Sequence, residues 1–461
     1  MAMTSTTNEN ATLLHAKEWA RLDPNPSTSH HVQKLISQIE DKSNESKSSS
    51  RDAAFQELHS FFPANDRIGF GTAGLRGHMQ PGPMGMNDLI VIQTAQGLAR
   101  NILRNNNNNN TKDSPPLKAV VAYDHRSHST FDLSSKNFAI YTKLVFEHAG
   151  IPCTLLDGYV ATPILAFAVS NINAAVGIMV TASHNPKQDD GYKVYWNDGC
   201  QIRPPTDEHI ANDILEEESL VPWIEYGEKR KEWEAKAMEH ENGMPSGDCY
   251  GLSDVEGTEK IVDAYFQAVL SSGLVVTPGM IDGEASTSLS PPRIAYTAMH
   301  GVGYPFALRS FQTFKLPPFL AVPSQRDPDP NFSTVPFPNP EEKGALDEAM
   351  AFALEQKCDV VLANDPDADR LGVAEFERDS RKWTVFTGDQ IGTLLGFWLW
   401  DTIGRNSDRV SVYVSILEKE CVSVICSSLR HHFSAWYCSL IMLVVTRNHF
   451  FLLHHHTHHS K

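Results

Sequence analysis

Apolar positions follow two rhythms along this chain. Residues 16–40 carry Trp19, Leu22, Val32, Leu35, Ile36 and Ile39 at helical spacing around an Asp23-Pro24-Asn25-Pro26 turn. Residues 1–17 are polar, 42–51 read as a flexible connector, and the runs at 47–50 and 105–110 read as solvated loops. From Leu117 the rhythm changes. A strand to Tyr123, a helix over 134–149, a strand over 153–156, a helix from Thr162 and a strand over 175–180 predict βαβ units and a mainly parallel sheet. A second α/β unit spans 255–377, with helices at 260–269 and 341–356 and strands at 293–297 and 359–362. A third begins near Trp383, with a helix over 389–403 and a strand over 410–414.

At 461 residues, about three domains are expected, each able to bury a core. The formal charge of −17 argues against nucleic acid or an anionic membrane as partner, because both call for a basic face. The 7 cysteines are scattered without a C-x-x-C pair, so neither a disulfide framework nor a zinc site is expected. Residues 1–17 lack the apolar core of a secretory signal, and the apolar run at 433–445 falls short of the roughly 20 residues of a membrane span. A cytoplasmic protein is the expectation.

The candidate chemistry lies at strand ends, where ligands bind in such sheets. Asp365, Asp367 and Asp369 alternate, which in extended backbone sends their side chains to one face. Three adjacent carboxylates repel unless a cation sits among them, and all-oxygen ligation suits a hard ion such as magnesium. A calcium loop of the EF-hand kind does not fit, since Arg370 and Phe376 stand where it requires glycine and glutamate. Ser183, in Thr181-Ala182-Ser183-His184-Asn185-Pro186, follows an apolar strand. It reads as a nucleophile or as an ordinary turn serine, and the Asp segment favours a phosphoryl acceptor beside a metal. His184 reads as a loop residue with a proton role as the alternative.

Gly69-Phe70-Gly71-Thr72-Ala73-Gly74 matches G-x-G-x-x-G, but Gly77, Pro81, Gly82, Pro83 and Gly85 cannot open the helix a dinucleotide site requires. It reads better as a glycine loop that brings backbone amides and Arg76 to a phosphate, or as a plain turn. Lys193, in Gly191-Tyr192-Lys193-Val194-Tyr195, lies on a returning strand. An amine there neutralises phosphate or moves a sugar proton; a solvated strand lysine is the alternative.

Together these segments, with His300-Gly301-Val302-Gly303, resemble the α-D-phosphohexomutase superfamily, the phosphoglucomutases and phosphomannomutases. Asp327-Pro328-Asp329-Pro330 and Asn339-Pro340-Glu341-Glu342 are similar to its phosphoglucomutase-2 and phosphopentomutase branch. The resemblance implies tandem α/β domains with mixed, largely parallel sheets: a helical extension at 1–60, domain I at 61–250, domain II at 251–380, a partial domain III at 381–420 and an atypical tail at 421–461. It implies an isomerase of phosphosugars, preferring glucose 1- and 6-phosphate, that works through a phosphoserine at Ser183 and a glucose 1,6-bisphosphate intermediate. Phosphopentomutase and glucose 1,6-bisphosphate synthase are the alternatives. Ser183, Asp365, Asp367 and Asp369 would hold Mg2+, Arg76 and Arg370 would steady the phosphoryl group, and Lys193 would assist proton transfer. The family's later Glu-x-Ser sugar loop and phosphate clamp do not occur over 401–461. The chain as written is therefore expected to lack a complete third domain and the fourth, and to be inactive or nearly so, or a non-catalytic binding or regulatory isoform.

Overall fold

The computed structural model describes residues 2–41, 48–63, 66–109, 117–241, 255–272 and 291–402. The expectations for 410–414, for residues 403–420 of the partial third domain and for the tail at 421–461 fall outside these residues. Among the described residues, no helix is long and apolar enough to cross a membrane. The chain divides into two compact units. The first takes 1–160, 165–182 and 187–258; the second takes 161–164, 183–186 and 259–461.

Among the described residues, twelve strands occur in chain order: β1 Leu75–His78, β2 Ala119–Tyr123, β3 Ser127–His128, β4 Leu133–Ser134, β5 Cys153–Leu155, β6 Val176–Val180, β7 Asp189–Trp196, β8 Ile294–Thr297, β9 Leu320–Ala321, β10 Val360–Asn364, β11 Leu371–Glu377 and β12 Lys382–Val385. The first unit has the sheet β1-β7-β6-β2-β5, and β3 and β4 form a separate small pair. β2 runs parallel to β5 and β6, whereas β7 is antiparallel to both β6 and β1. β2 and β6 are buried along their whole length, as their unbroken apolar runs require when helices cover both faces. The second unit repeats the design with the sheet β12-β11-β10-β8-β9, in which β8 is parallel to β10 and β9 and the β10-β11-β12 edge is antiparallel.

Among the described residues, three helices precede the first sheet. Pro26–Glu40 starts where the Asn25 side chain accepts hydrogen bonds from the amides of Ser27 and Thr28, with Pro26 pre-set for the first turn. It packs with Ala2–Leu22 and Ser48–Phe61 around Trp19, Leu35, Ile36, Leu58 and Phe62. Two polar stretches are thus helical, one of them, 48–50, where a loop is expected. Residues 2–17 extend the first helix, and the serines at 48–50 open the third, because Ala54 and Leu58 bury its apolar face. The asparagine run also departs from expectation: Asp88–Asn109 is one helix that continues through Asn105. Its buried residues, among them Ile90, Leu98 and Ile102, hold it, and asparagine costs well under 1 kcal/mol per residue against alanine. By contrast, the expected 341–356 helix is regular only over Asp347–Glu355, with Gly344 at φ +86° in the turn before it.

Candidate active site

In the first unit, the glycine segment closes a tight turn in which Gly71 and Gly74 exchange backbone hydrogen bonds of 3.1 and 2.7 Å. It leads into β1 and opens no helix. Gly74 sits at φ +76°, and a Cβ there would lie 1.8 Å from the Tyr192 carbonyl oxygen, so only glycine lets the loop lie against β7. Arg76 pairs with Gly191 and His78 with Asp189. Strand alternation therefore puts Arg76, His78, Asp189 and Lys193 on one sheet face. Lys193 is 4% exposed, and Arg76 is half-buried. His78, whose Nδ1 contacts Asp189 Oδ1, goes unnoticed in the sequence; its position two residues past Arg76 is the signal that marks it.

A buried polar network lies behind this face. Thr181 donates to Asp124 Oδ2 at 2.6 Å, and Arg126 Nε lies 3.3 Å from the same oxygen. The Ser135 hydroxyl is 2.6 Å from Asp124 Oδ1 and 2.9 Å from Asp190 Oδ2. Burial, and then Asp124, push Asp190 well above the ordinary carboxylate range. One hydroxyl hydrogen cannot serve two carboxylates, which also points to a proton on Asp190.

In the second unit, β10 leads into Asp365. Residues 365–370 form a turn, which corrects the expectation that extended backbone aligns the three aspartates. The Ala368 amide donates to the Asp365 carbonyl at 2.9 Å, and Ala368 is left-handed at φ +56°. This fold-back gathers Asp365, Asp367 and Asp369, with one ligand atom of each within 4.8 Å of the others. Asp365 and Asp367 are 0% exposed and Asp369 is 5% exposed. Asp365 Oδ1 accepts from the amides of Asp369 (3.1 Å) and Arg370 (2.9 Å). Behind the turn, Tyr296 donates to Asn364 Oδ1 at 2.9 Å, and the Asn364 amide donates to the Arg370 carbonyl at 2.7 Å. The Val302 amide bonds the Pro366 carbonyl at 2.8 Å, and a Cβ on Gly301 would sit 2.2 Å from Pro366 Cα.

Residues 183–186 group with this second unit. Ser183 is left-handed at φ +53° and 2% exposed. Its hydroxyl donates to Asp365 Oδ2 at 2.7 Å, and His184 Nδ1 lies 3.3 Å from the Ser183 oxygen. Thus Ser183, His184 and the three aspartates come together. Arg370 Nε stands 3.9 Å from Asp365 Oδ2 and 4.0 Å from Asp369 Oδ1, with a side chain 40% exposed. Burial, then Asp367 and Asp369, raise Asp365 well above the ordinary carboxylate range. Three buried oxygen donors gathered this closely fit a hard divalent ion, whose charge would let them ionise together.

The α/β architecture thus presents a buried hydroxyl against an acidic triad. Residues 67–221 match alpha/beta/alpha domain I, and residues 263–377 alpha/beta/alpha domain II, of the phosphoglucomutase/phosphomannomutase family. The chain belongs to that family. It is 37% identical to the Homo sapiens phosphopentomutase over 408 residues, covering 88% of this chain and 59% of that protein. It is 33% identical to the Homo sapiens glucose 1,6-bisphosphate synthase over 404 residues, covering 86% and 57%. The chain therefore spans less than two thirds of the length of these relatives. A phosphoglucomutase/phosphomannomutase family protein from Burkholderia thailandensis shares the fold, with a TM-score of 0.51 at 18% identity over 78% of this chain and 68% of that one.

Proposed function

We propose that the chain is a magnesium-dependent phosphosugar mutase that carries the phosphoryl group on Ser183. The observation behind this reading is the 2.7 Å hydrogen bond from Ser183 to Asp365 inside a buried acidic triad. Asp365, Asp367 and Asp369, with an oxygen of the phosphorylated Ser183, would hold Mg2+. A magnesium ion there supplies charge neutralisation for the phosphoryl oxygens during transfer.

In the forward half-reaction the bond from phosphorus to Ser183 Oγ breaks, and a bond forms to a free hydroxyl oxygen of a sugar monophosphate. The hydroxyl proton passes to Lys193, which begins as the neutral amine, while His184 gives a proton to Ser183 Oγ; the reverse transfer returns both protons. Arg76 and Arg370 steady the phosphoryl oxygens, and His184 orients Ser183 Oγ. The sugar bisphosphate then presents its other phosphate, and the reverse transfer restores phospho-Ser183. Burial of Ser183 keeps water from ending the cycle by hydrolysis.

Relatives named phosphopentomutase and glucose 1,6-bisphosphate synthase support a pentose monophosphate or the bisphosphate-forming reaction over the glucose 1- and 6-phosphate preference expected from the sequence. The test is peptide mass analysis after incubation with glucose 1,6-bisphosphate and Mg2+. Phosphate on Ser183, absent from Ser183→Ala, is expected; an unmodified Ser183 peptide rejects the proposal. Parallel incubations with ribose 1-phosphate, glucose 1-phosphate and an acyl-phosphate donor rank the substrates.

A further inference from the structure

Thr162 opens the helix Thr162–Asn171 and lies in the 161–164 segment that groups with the second unit. It is 1% exposed. Its backbone amide donates to the Asp367 carbonyl at 2.9 Å, and its hydroxyl donates to Asp367 Oδ2 at 2.6 Å. One residue therefore grips both the main chain and the carboxylate of the central aspartate from a point 205 positions away in sequence. The contrast with Asp365 is instructive. It accepts from the Ser183 hydroxyl and from two amides of its own turn, so that carboxylate is aimed in good part by the loop itself. The middle of the turn is aimed from outside.

We infer that Thr162 is a positioning residue for the cation held by Asp365, Asp367 and Asp369. Its hydroxyl fixes the rotation of the Asp367 carboxylate, so the second oxygen of that group is held in a set direction for ligation. A ligand whose rotation is set before binding loses less freedom when the ion arrives, and partners of metal ligands generally contribute tenfold to a hundredfold in affinity. Valine is nearly the shape of threonine and lacks the donor. It leaves Asp367 Oδ2 short of that donor in a buried place and lets the carboxylate turn. The inference rests on the metal-site part of the proposed function and needs no assumption about the sugar.

The test is isothermal titration of the full 461-residue chain with MgCl2, beside thermal unfolding of each metal-free variant. Thr162→Val is expected to bind Mg2+ about tenfold to a hundredfold more weakly than the native chain, and Thr162→Ser to bind within about threefold of it. Equal Mg2+ affinity in the native chain and in folded Thr162→Val overturns the inference while leaving the metal site intact. A native chain that binds no Mg2+ rejects the metal site itself, which is a separate outcome. Amide exchange at Thr162 in the native chain provides a measurement independent of any variant's folding. Saturating Mg2+ is expected to slow it, because the amide donates to the residue being locked; an exchange rate unchanged by Mg2+ overturns the inference.

Discussion

Two groups of buried carboxylates in this chain are held in opposite ways. In the first unit, Asp124 and Asp190 are answered from within: by the fully buried Arg126, by the hydroxyls of Ser135 and Thr181, and by the amides of Arg126 and Gly191. In the second unit, the partly exposed Arg370 guanidinium lies 3.9 Å from Asp365 and 4.0 Å from Asp369, and Asp367 is packed beside them. The first network has a fully buried counter-charge at 3.3 Å, whereas the second gathers three buried carboxylates beside an arginine that is farther away and partly exposed. Buried charge of the first kind supports the fold; buried charge of the second kind costs stability until a ligand arrives.

Removing the internal cation is the strongest way to break this comparison. Arg126→Met leaves the carboxylates of the first unit short of their counter-charge and is expected to destabilise that unit by about 3 to 5 kcal/mol, read as a lower urea midpoint. Asp367→Asn in metal-free protein relieves repulsion, so its midpoint is expected to stay level or rise. A fall comparable to that of Arg126→Met would erase the distinction.

Metal should act on one group only. Mg2+ at a hundred times its dissociation constant is expected to stabilise the native chain by about 2.7 kcal/mol. The same addition to Asp367→Asn should do much less, which differential scanning calorimetry can read.

The third and smallest effect is a slope in pH. Asp190 is raised, so between its ordinary value near 3.8 and its higher folded value the native state keeps a proton that the unfolded chain has lost. Stability from this group is complete below that window and falls as pH rises through it, by up to about 1.4 kcal/mol per pH unit. Asp190→Asn should remove this contribution, since an amide can donate to Ser135 as the protonated acid does. Mg2+ should leave it in place. Urea midpoints across pH with both treatments decide this, and a slope unchanged in Asp190→Asn contradicts the proton assignment.

Much of the scaffold is legible in the sequence, because β2, β6 and β10 are apolar runs of strand length with no competing period. The polar helices are not legible. Residues 2–17 and the asparagines after Arg104 are helical through what precedes or follows them, which local propensity does not report. At the site, the residue types and their spacing draw attention to Ser183 and the aspartates, but the turn that gathers them depends on a left-handed Ala368. Thr162 and Asp124 escape notice for a different reason. A single threonine before a proline and an aspartate at a strand end are common, and only long-range contacts set these two apart.

Backbone conformation carries a consequence for engineering. Ser183, Ala368, Met299 and His300 all hold positive φ, a region that costs a non-glycine residue roughly 1 to 2 kcal/mol. A stabilisation campaign that ranks positions by strain and installs glycine would select these first. At Ser183 it would trade the hydroxyl that meets Asp365 for melting temperature, so a screen that scores thermal tolerance alone would report success while removing the proposed phosphoryl carrier.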